Sequence, residues 1–307
     1  MINLGQDVVD QVGLHIQVLY QRQRMIGGAV GGMSTHDVDR AIALQFALEG
    51  VAVQALAHVA VHNGDDVGTA LEDLLTLVDQ DKRPDWQAQI DQLRKAHPLF
   101  YNHNGNLRHP VSLIDRIGSL INGKAIIATD VGQHQMWVAQ IYPFSSPRTL
   151  LTSGGLGTMG FGLPAAIGAA LANPEWKIVC ISGDGSFLMN IQELATLAEH
   201  NLNVSIIIMN NQHLGLVRQQ QELFYHNRLF ASRFDCAPDF AAIAKGFGIA
   251  SYNLDGKSYP LKALEHALKQ PGPSVVNIPI NGHLNVYPMV PPGAPNREMI
   301  GGEYNEQ

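Results

Sequence analysis

The sequence predicts an α/β fold, a parallel sheet with helices on both faces. Three observations carry that prediction. From about residue 98 onward, short apolar runs alternate with segments of helical periodicity; strands alternating with helices imply a parallel sheet covered on both sides. The runs themselves, such as AIIATD, KIVCIS and VSIIIMN, are continuously apolar, as expected of strands buried on both faces. Finally, Gly183-Asp184-Gly185-Ser186 follows one such run, a helical segment comes next, and the following run ends in Asn210-Asn211. Ligands in parallel sheets sit at the carboxyl ends of strands, and Asp130, Asp184 and Asn211 all fall at such ends.

Residues 1–65 stand apart. They contain no lysine, the first being Lys82, and they carry no motif. DVDRAIALQFALEG has helical spacing, but the stretch is unassigned: an ordinary small helical region, a disordered arm, or sequence translated out of frame or from a displaced start. Residues 66–97 read as a short helical remnant. DVGTALEDLLTLVDQ is one helix; DKRPDWQAQIDQLRKAHPLF holds a second, broken at Pro84 and ended before Pro98. The polar linker YNHNGNLR marks a boundary near residues 97–105, and residues 98–307 form the main domain.

Within it, PVSLIDRIGSLI is a helix with Pro110 in its first turn, where a missing N–H is tolerated. AIIATD is a strand, GTMGFGLPAAIGAALA a glycine-rich helix, KIVCIS a strand, NIQELATLAEH a helix and VSIIIMN a strand. PDFAAIAKGFG is a helix with glycines at its end. IASYNL, PLKALEHALK and SVVNIPI complete the pattern as strand, helix and strand.

Composition bounds the partners. With 46% hydrophobic and 15% charged residues, the 307-residue chain has ample material for a core. A net charge of −7 gives no basic footprint for nucleic acid. Cys180 and Cys236 make neither a disulfide framework nor a metal spacing. No signal peptide or bilayer-length apolar run is evident, so a cytoplasmic setting without membrane contact is expected.

The chemistry concentrates at the glycine turn. Glycines let backbone N–H groups approach a phosphate, and a helix N-terminus favours negative charge. Asp184 and Asn211 pair a carboxylate with an amide oxygen, a fitting set for Mg²⁺, which takes oxygen ligands and borrows others from water and phosphate. Gln133 and His134 offer donors at the same sheet edge. Thr152–Pro164 is glycine-rich enough for close backbone approach, a cradle for a flat ring with Met159 as its apolar contact. A dinucleotide-binding Rossmann domain would need G-x-G-x-x-G after the first strand, where the sequence reads DVGQHQ.

GDG followed by NN resembles the thiamine diphosphate signature. Together, DVGQHQMW, SGGLGTMGFGLPAAIGAALA, SGDGSFLMNIQELAT and MNNQHLGLVRQQQELFY resemble the thiamine-binding domain of the acetolactate synthase (acetohydroxyacid synthase) large subunit, isozyme I type. YPMVPPGAPNREM resembles that family's C-terminal segment, which covers the active site. The likeness runs from about Asp66 to the end, and it implies that residues 66–97 are the tail of that family's central domain.

The resemblance implies the following. Mg²⁺ would be held by Asp184, Asn211 and the backbone carbonyl of His213. Thiamine diphosphate would meet Gln133, His134, Gly157, Gly183 and the Gly185 and Ser186 backbone, with Met159 against its pyrimidine. Leu216, Val217 and Gln220 would line the substrate entrance. Many members carry Trp where Gln220 stands, and that Trp favours 2-oxobutyrate as second substrate. A flat apolar ring rewards one methylene by about 1–3 kcal/mol, and an amide does not. The implied reaction condenses two pyruvates to 2-acetolactate with release of CO₂, or pyruvate with 2-oxobutyrate, in branched-chain amino acid biosynthesis. Large-subunit homodimers with a small regulatory subunit are the implied partners. The family is about twice this length; its first domain supplies an activating Glu from the partner subunit, and FAD binds largely in its second. No Glu here has that Glu's context, so no catalytic acid is assigned, and most of the FAD site is missing. Loss of such a proton-transfer group costs about 10²–10⁴-fold. The alternative is a non-catalytic remnant that binds thiamine diphosphate and Mg²⁺.

Overall fold

The computed structural model describes residues 84–96, 105–121, 125–236, 238–258 and 260–301. The unassigned stretch 1–65 and the helix expected over DVGTALEDLLTLVDQ lie outside the described residues. The chain divides into two units, Met1–Ile90 and Asp91–Gln307, and the sheet belongs to the second. Helix α1 spans Pro84–Ala96, within the stretch expected to hold the second helix.

The second unit runs α2 (Pro110–Ile121), β1 (Ala125–Thr129), α3 (Gln133–Ile141), β2 (Leu150–Leu151), α4 (Gly162–Ala172), β3 (Lys177–Gly183), α5 (Asp184–Phe187), a 3₁₀ turn (Leu188–Glu193), α6 (Leu194–Glu199), β4 (Val204–Asn210), α7 (Gly215–Phe224), α8 (Phe240–Gly246), β5 (Ala250–Asn253), α9 (Pro260–Lys269) and β6 (Ser274–Pro279). All strands are parallel, in the order β2-β1-β3-β4-β6-β5.

Side chains alternate across each strand, so a continuous apolar run feeds two cores at once. Ile127, Val179, Ile181, Ile207, Met209 and Ile278 pack with α2, α3 and α9 on one face. Ala128, Ile178, Cys180, Ile206 and Ile208 pack with α4, α6 and α8 on the other. Cys180 is therefore a fully buried core thiol, and Cys236 is exposed.

Connections from β1 and β3 leave toward opposite edges of the sheet, since β1 leads to β2 and β3 leads to β4. This is the switch point at which open α/β sheets form a crevice. The register aligns Thr129 with Ile181 and Gly183 with Met209. Asp130, Asp184 and Asn211 thus emerge along one edge.

Two expectations need correction. The glycine-rich helix begins only at Gly162, because Asp130 reaches across to accept the Gly160 N–H at 2.8 Å and the Gly162 N–H at 3.4 Å, fixing where the first turn starts. The helix expected over NIQELATLAEH is a 3₁₀ segment with a kink at Asn190, φ −135°, and regular α-helix resumes at Leu194. Asn190 is drawn aside to donate its Nδ2 to Gly160 O at 2.7 Å. At GDG the turn is tight: Gly183 ends the strand with φ −88°, and Asp184 already starts α5. In YPMVPPGAPNREM, Gln140 Nε2 donates to Pro288 O at 3.1 Å, and Met289 is buried beside Gln219. The sequence reading also passed over α3, α7 and the two-residue β2.

Candidate functional site

A cavity of about 190 Å³ opens at the carboxyl ends of β1, β3 and β4. Gln133, His134, Gly157, Met159, Gly183, Asp184, Gly185, Ser186, Asn211, His213, Leu216, Val217 and Gln220 all line it. Every expected site residue is thus brought to one place. Val131, Gly132, Trp137, Met209, Leu214, Gly215 and Ile280 line it too and were not expected. Gly215 had a readable signal, a lone glycine among bulky residues in HLGLV. A Cβ there would collide with Gln133 Oε1 and lie 2.6 Å from Asn211 Nδ2.

Three helices begin at this cavity: α3 at Gln133, α5 at Asp184 and α7 at Gly215. None has a side-chain cap on its first turn. The first N–H groups of a helix have no intrahelical partner and carry the positive end of the dipole. Uncapped helix starts converging on a cavity make an anion site. By contrast α8, which starts elsewhere, is capped by Asp239 accepting from Ala242 N at 3.0 Å.

Asp184 is 2% exposed and its Oδ2 is buried without a hydrogen-bond partner. Burial pushes its carboxyl up to about 7, although backbone N–H groups of Gly185, Gln212 and Asn211 pull the other way. An orphaned carboxylate oxygen in such a place is what a divalent cation would satisfy. Asn211 donates its Nδ2 to Gln133 Oε1 at 3.3 Å, and its Oδ1 accepts the His213 N–H at 3.0 Å. The His213 ring Nδ1 lies 2.7 Å from Asn211 O.

His134 is wedged between two glycines. A Cβ on Gly132, whose φ is +153°, would lie 2.9 Å from His134 Cε1, and one on Gly183 3.0 Å from His134 Nδ1. Burial lowers the imidazole to about 4, and its Nε2 has no partner. A neutral imidazole is held there against the cavity. Ser186 Oγ donates to Val131 O at 2.5 Å, which leaves its backbone to face the cavity.

Asp130 follows β1 at the same sheet edge, but the structure uses it otherwise. It accepts from Val131 N, Gly160 N, Gly162 N and Ser182 Oγ and is not among the cavity-lining residues. Asp184 is the only carboxylate lining the cavity among the described residues.

Comparison with known proteins matches this geometry. Residues 130–278 match the thiamine pyrophosphate enzyme C-terminal TPP binding domain. Over these residues the chain is similar to the thiamine pyrophosphate enzymes. Within that class its relatives are acetolactate synthases. It is 46% identical over 265 residues to the acetolactate synthase isozyme 1 large subunit of Escherichia coli (strain K12), covering 86% of this chain and 45% of that protein. It is 42% identical over 244 residues to the isozyme 2 large subunit of the same organism, covering 80% and 44%. It is 44% identical over 248 residues to the chloroplastic acetolactate synthase 1 of Oryza sativa subsp. japonica, covering 76% and 38%. The chain spans somewhat under half the length of these relatives. A match to 86% of the chain is longer than Asp66–Gln307, so similarity to the isozyme 1 subunit reaches upstream of Asp66. No described helix is long and apolar enough to cross a membrane.

Proposed function

We propose that this chain carries the thiamine diphosphate and Mg²⁺ half of an acetolactate synthase. The observation that carries the reading is the unpartnered Asp184 Oδ2 beside Asn211, in a cavity edged by three uncapped helix starts. Asp184, Asn211 and the His213 carbonyl would hold Mg²⁺. Gln133, His134 and the Gly185 and Ser186 backbone would hold the diphosphate, against the N-termini of α3 and α5. Gly157, Gly183 and Met159 supply the walls, with Met159 against the aminopyrimidine. When bound, thiamine diphosphate supplies the carbon chemistry by which one pyruvate loses CO₂ and joins a second 2-oxoacid.

The chain's own residues bind and orient. His134, neutral at working pH, offers the cofactor a ring nitrogen without adding charge. Leu216, Val217 and Gln220 form the apolar-to-polar mouth through which a 2-oxoacid enters, and Gln220 gives 2-oxobutyrate little advantage over pyruvate. The cavity has no second carboxylate among the described residues, so an activating Glu, FAD, and the homodimeric and small-subunit partners belong to the complete assembly in this reading. The test is binding: Asp184→Ala should abolish Mg²⁺-dependent thiamine diphosphate binding measured by calorimetry. Unchanged binding in that variant removes the assignment.

A further inference from the structure

Behind the cavity wall, a chain of side-chain amides runs from the C-terminal segment to Asn211. Gln219, on α7, is fully buried. Its Nε2 donates to Val286 O at 3.0 Å and contacts Met289 Sδ at 3.0 Å; its Oε1 accepts from Val286 N at 2.9 Å. A peptide N–H can only donate and a peptide carbonyl only accept, so Val286 permits Gln219 one orientation. Gln219 Oε1 therefore faces Gln133, whose Nε2 donates to it at 2.8 Å and to Leu284 O at 2.9 Å. Both neighbours only accept, so Gln133 turns its Oε1 to Asn211, whose Nδ2 donates to it. Asn211 is left with Oδ1 as its free end. That oxygen takes the His213 N–H at 3.0 Å, and an amide oxygen keeps a second lone pair. An Asn211 turned the other way would aim N–H donors at the cation.

We propose that Gln219 is a positioning residue: through Gln133 it holds Asn211 with its oxygen, not its NH₂, toward the cation position beside Asp184. The inference rests on the Mg²⁺–thiamine diphosphate reading above. The polarity set by the backbone of Val286 is handed on through two buried amides and agrees with the one the His213 N–H imposes on Asn211, so a residue outside the cavity supports what the cavity presents.

The test uses the full 307-residue chain and Mn²⁺ as the probe, its binding followed by electron paramagnetic resonance with thiamine diphosphate present. Gln219→Met keeps the side chain's length and removes both polar ends. Gln219→Glu keeps an oxygen toward Val286 N and Gln133 Nε2. Mn²⁺ affinity should fall about tenfold in Q219M, in line with other groups that orient a metal ligand, and Q219E should stay nearer to wild type than to Q219M. That order should hold whichever variant melts lower, which separates orientation from folding. Wild-type affinity in Q219M, or equal weakening in both variants, overturns the proposal. A wild-type chain that binds no Mn²⁺ with thiamine diphosphate overturns the cofactor reading and this inference with it. A second measurement needs no variant that threatens folding: in the wild-type chain, the Gln133 and Gln219 NH₂ hydrogens should exchange slowly with deuterium, and fast exchange overturns the relay.

Discussion

Asp184 and His134 share one cavity, and burial moves their protons in opposite directions. The unfolded Asp184 titrates near 3.8 and the folded one at about 7. The folded, cation-free chain thus holds a proton the unfolded chain has lost, and stability from this group falls as pH rises across that interval. His134 does the reverse. Its unfolded form takes a proton near 6.5 and its folded form only at about 4, so stability from this group rises with pH between those values. The two contributions offset in the wild-type chain between about pH 4 and 6.5. Asp184→Asn should uncover the histidine: its melting temperature, measured without divalent cation, should climb with pH through that window more steeply than that of wild type. Parallel profiles for the two proteins would show that Asp184 is not raised by burial, and a flat profile in Asp184→Asn that His134 is not buried neutral. At this scale the sequence was informative about identity. The carboxylate, amide and imidazole stood out because a cation and a diphosphate need those groups, and all reached the cavity. The amide of Gln219 did not stand out, because one glutamine in the run RQQQ looks like any other until tertiary contact buries it.

At the scale of elements, strands were legible and polar helices were not. AIIATD, KIVCIS, VSIIIMN and SVVNIPI announce themselves because a strand buried on both faces must be apolar throughout. Helices α3, QHQMWVAQI, and α7, GLVRQQQELF, were missed because they lack the capping residues by which helix starts are read. That lack is what leaves their first N–H groups open to the cavity. The start of α4 was misplaced for a related reason, since its cap is Asp130, remote in sequence and one strand away. Asp130 is 1% exposed and accepts from three backbone N–H groups and Ser182 Oγ. Asp130→Ala would leave buried donors unpaired, at about 1–3 kcal/mol for such groups, with a further ~1 kcal/mol for the lost cap. Urea denaturation followed by tryptophan fluorescence should show a loss of about 2–4 kcal/mol, with Asp130→Asn in between. An unchanged midpoint in Asp130→Ala would mean that the first turn of α4 does not depend on this contact.

At the scale of the whole molecule, the sheet order β2-β1-β3-β4-β6-β5 places the switch point between β1 and β3 and therefore the cavity beside it. The cavity presents metal and diphosphate groups but one carboxylate among the described residues. In the proposed reading, purified chain alone should bind cofactor yet form acetolactate at a rate lower by about 10²–10⁴-fold than a complete enzyme, the usual worth of a positioned proton-transfer group. Adding a separately expressed N-terminal fragment of a relative should raise it. Binding without any activity in either experiment favours the non-catalytic alternative. By itself the sequence determined the layering, the positions of every strand but β2 and the residue types at the site, because hydrophobic period and ligand chemistry are local properties of the chain. Only the tertiary structure decided where α4 begins, which helix ends stay uncapped, that Asp130 serves the fold rather than the cavity, and that Gln219 orients the site amides. Those outcomes depend on hydrogen bonds between residues far apart in sequence, and a donor's choice among distant acceptors exists only once the sheet has brought them together.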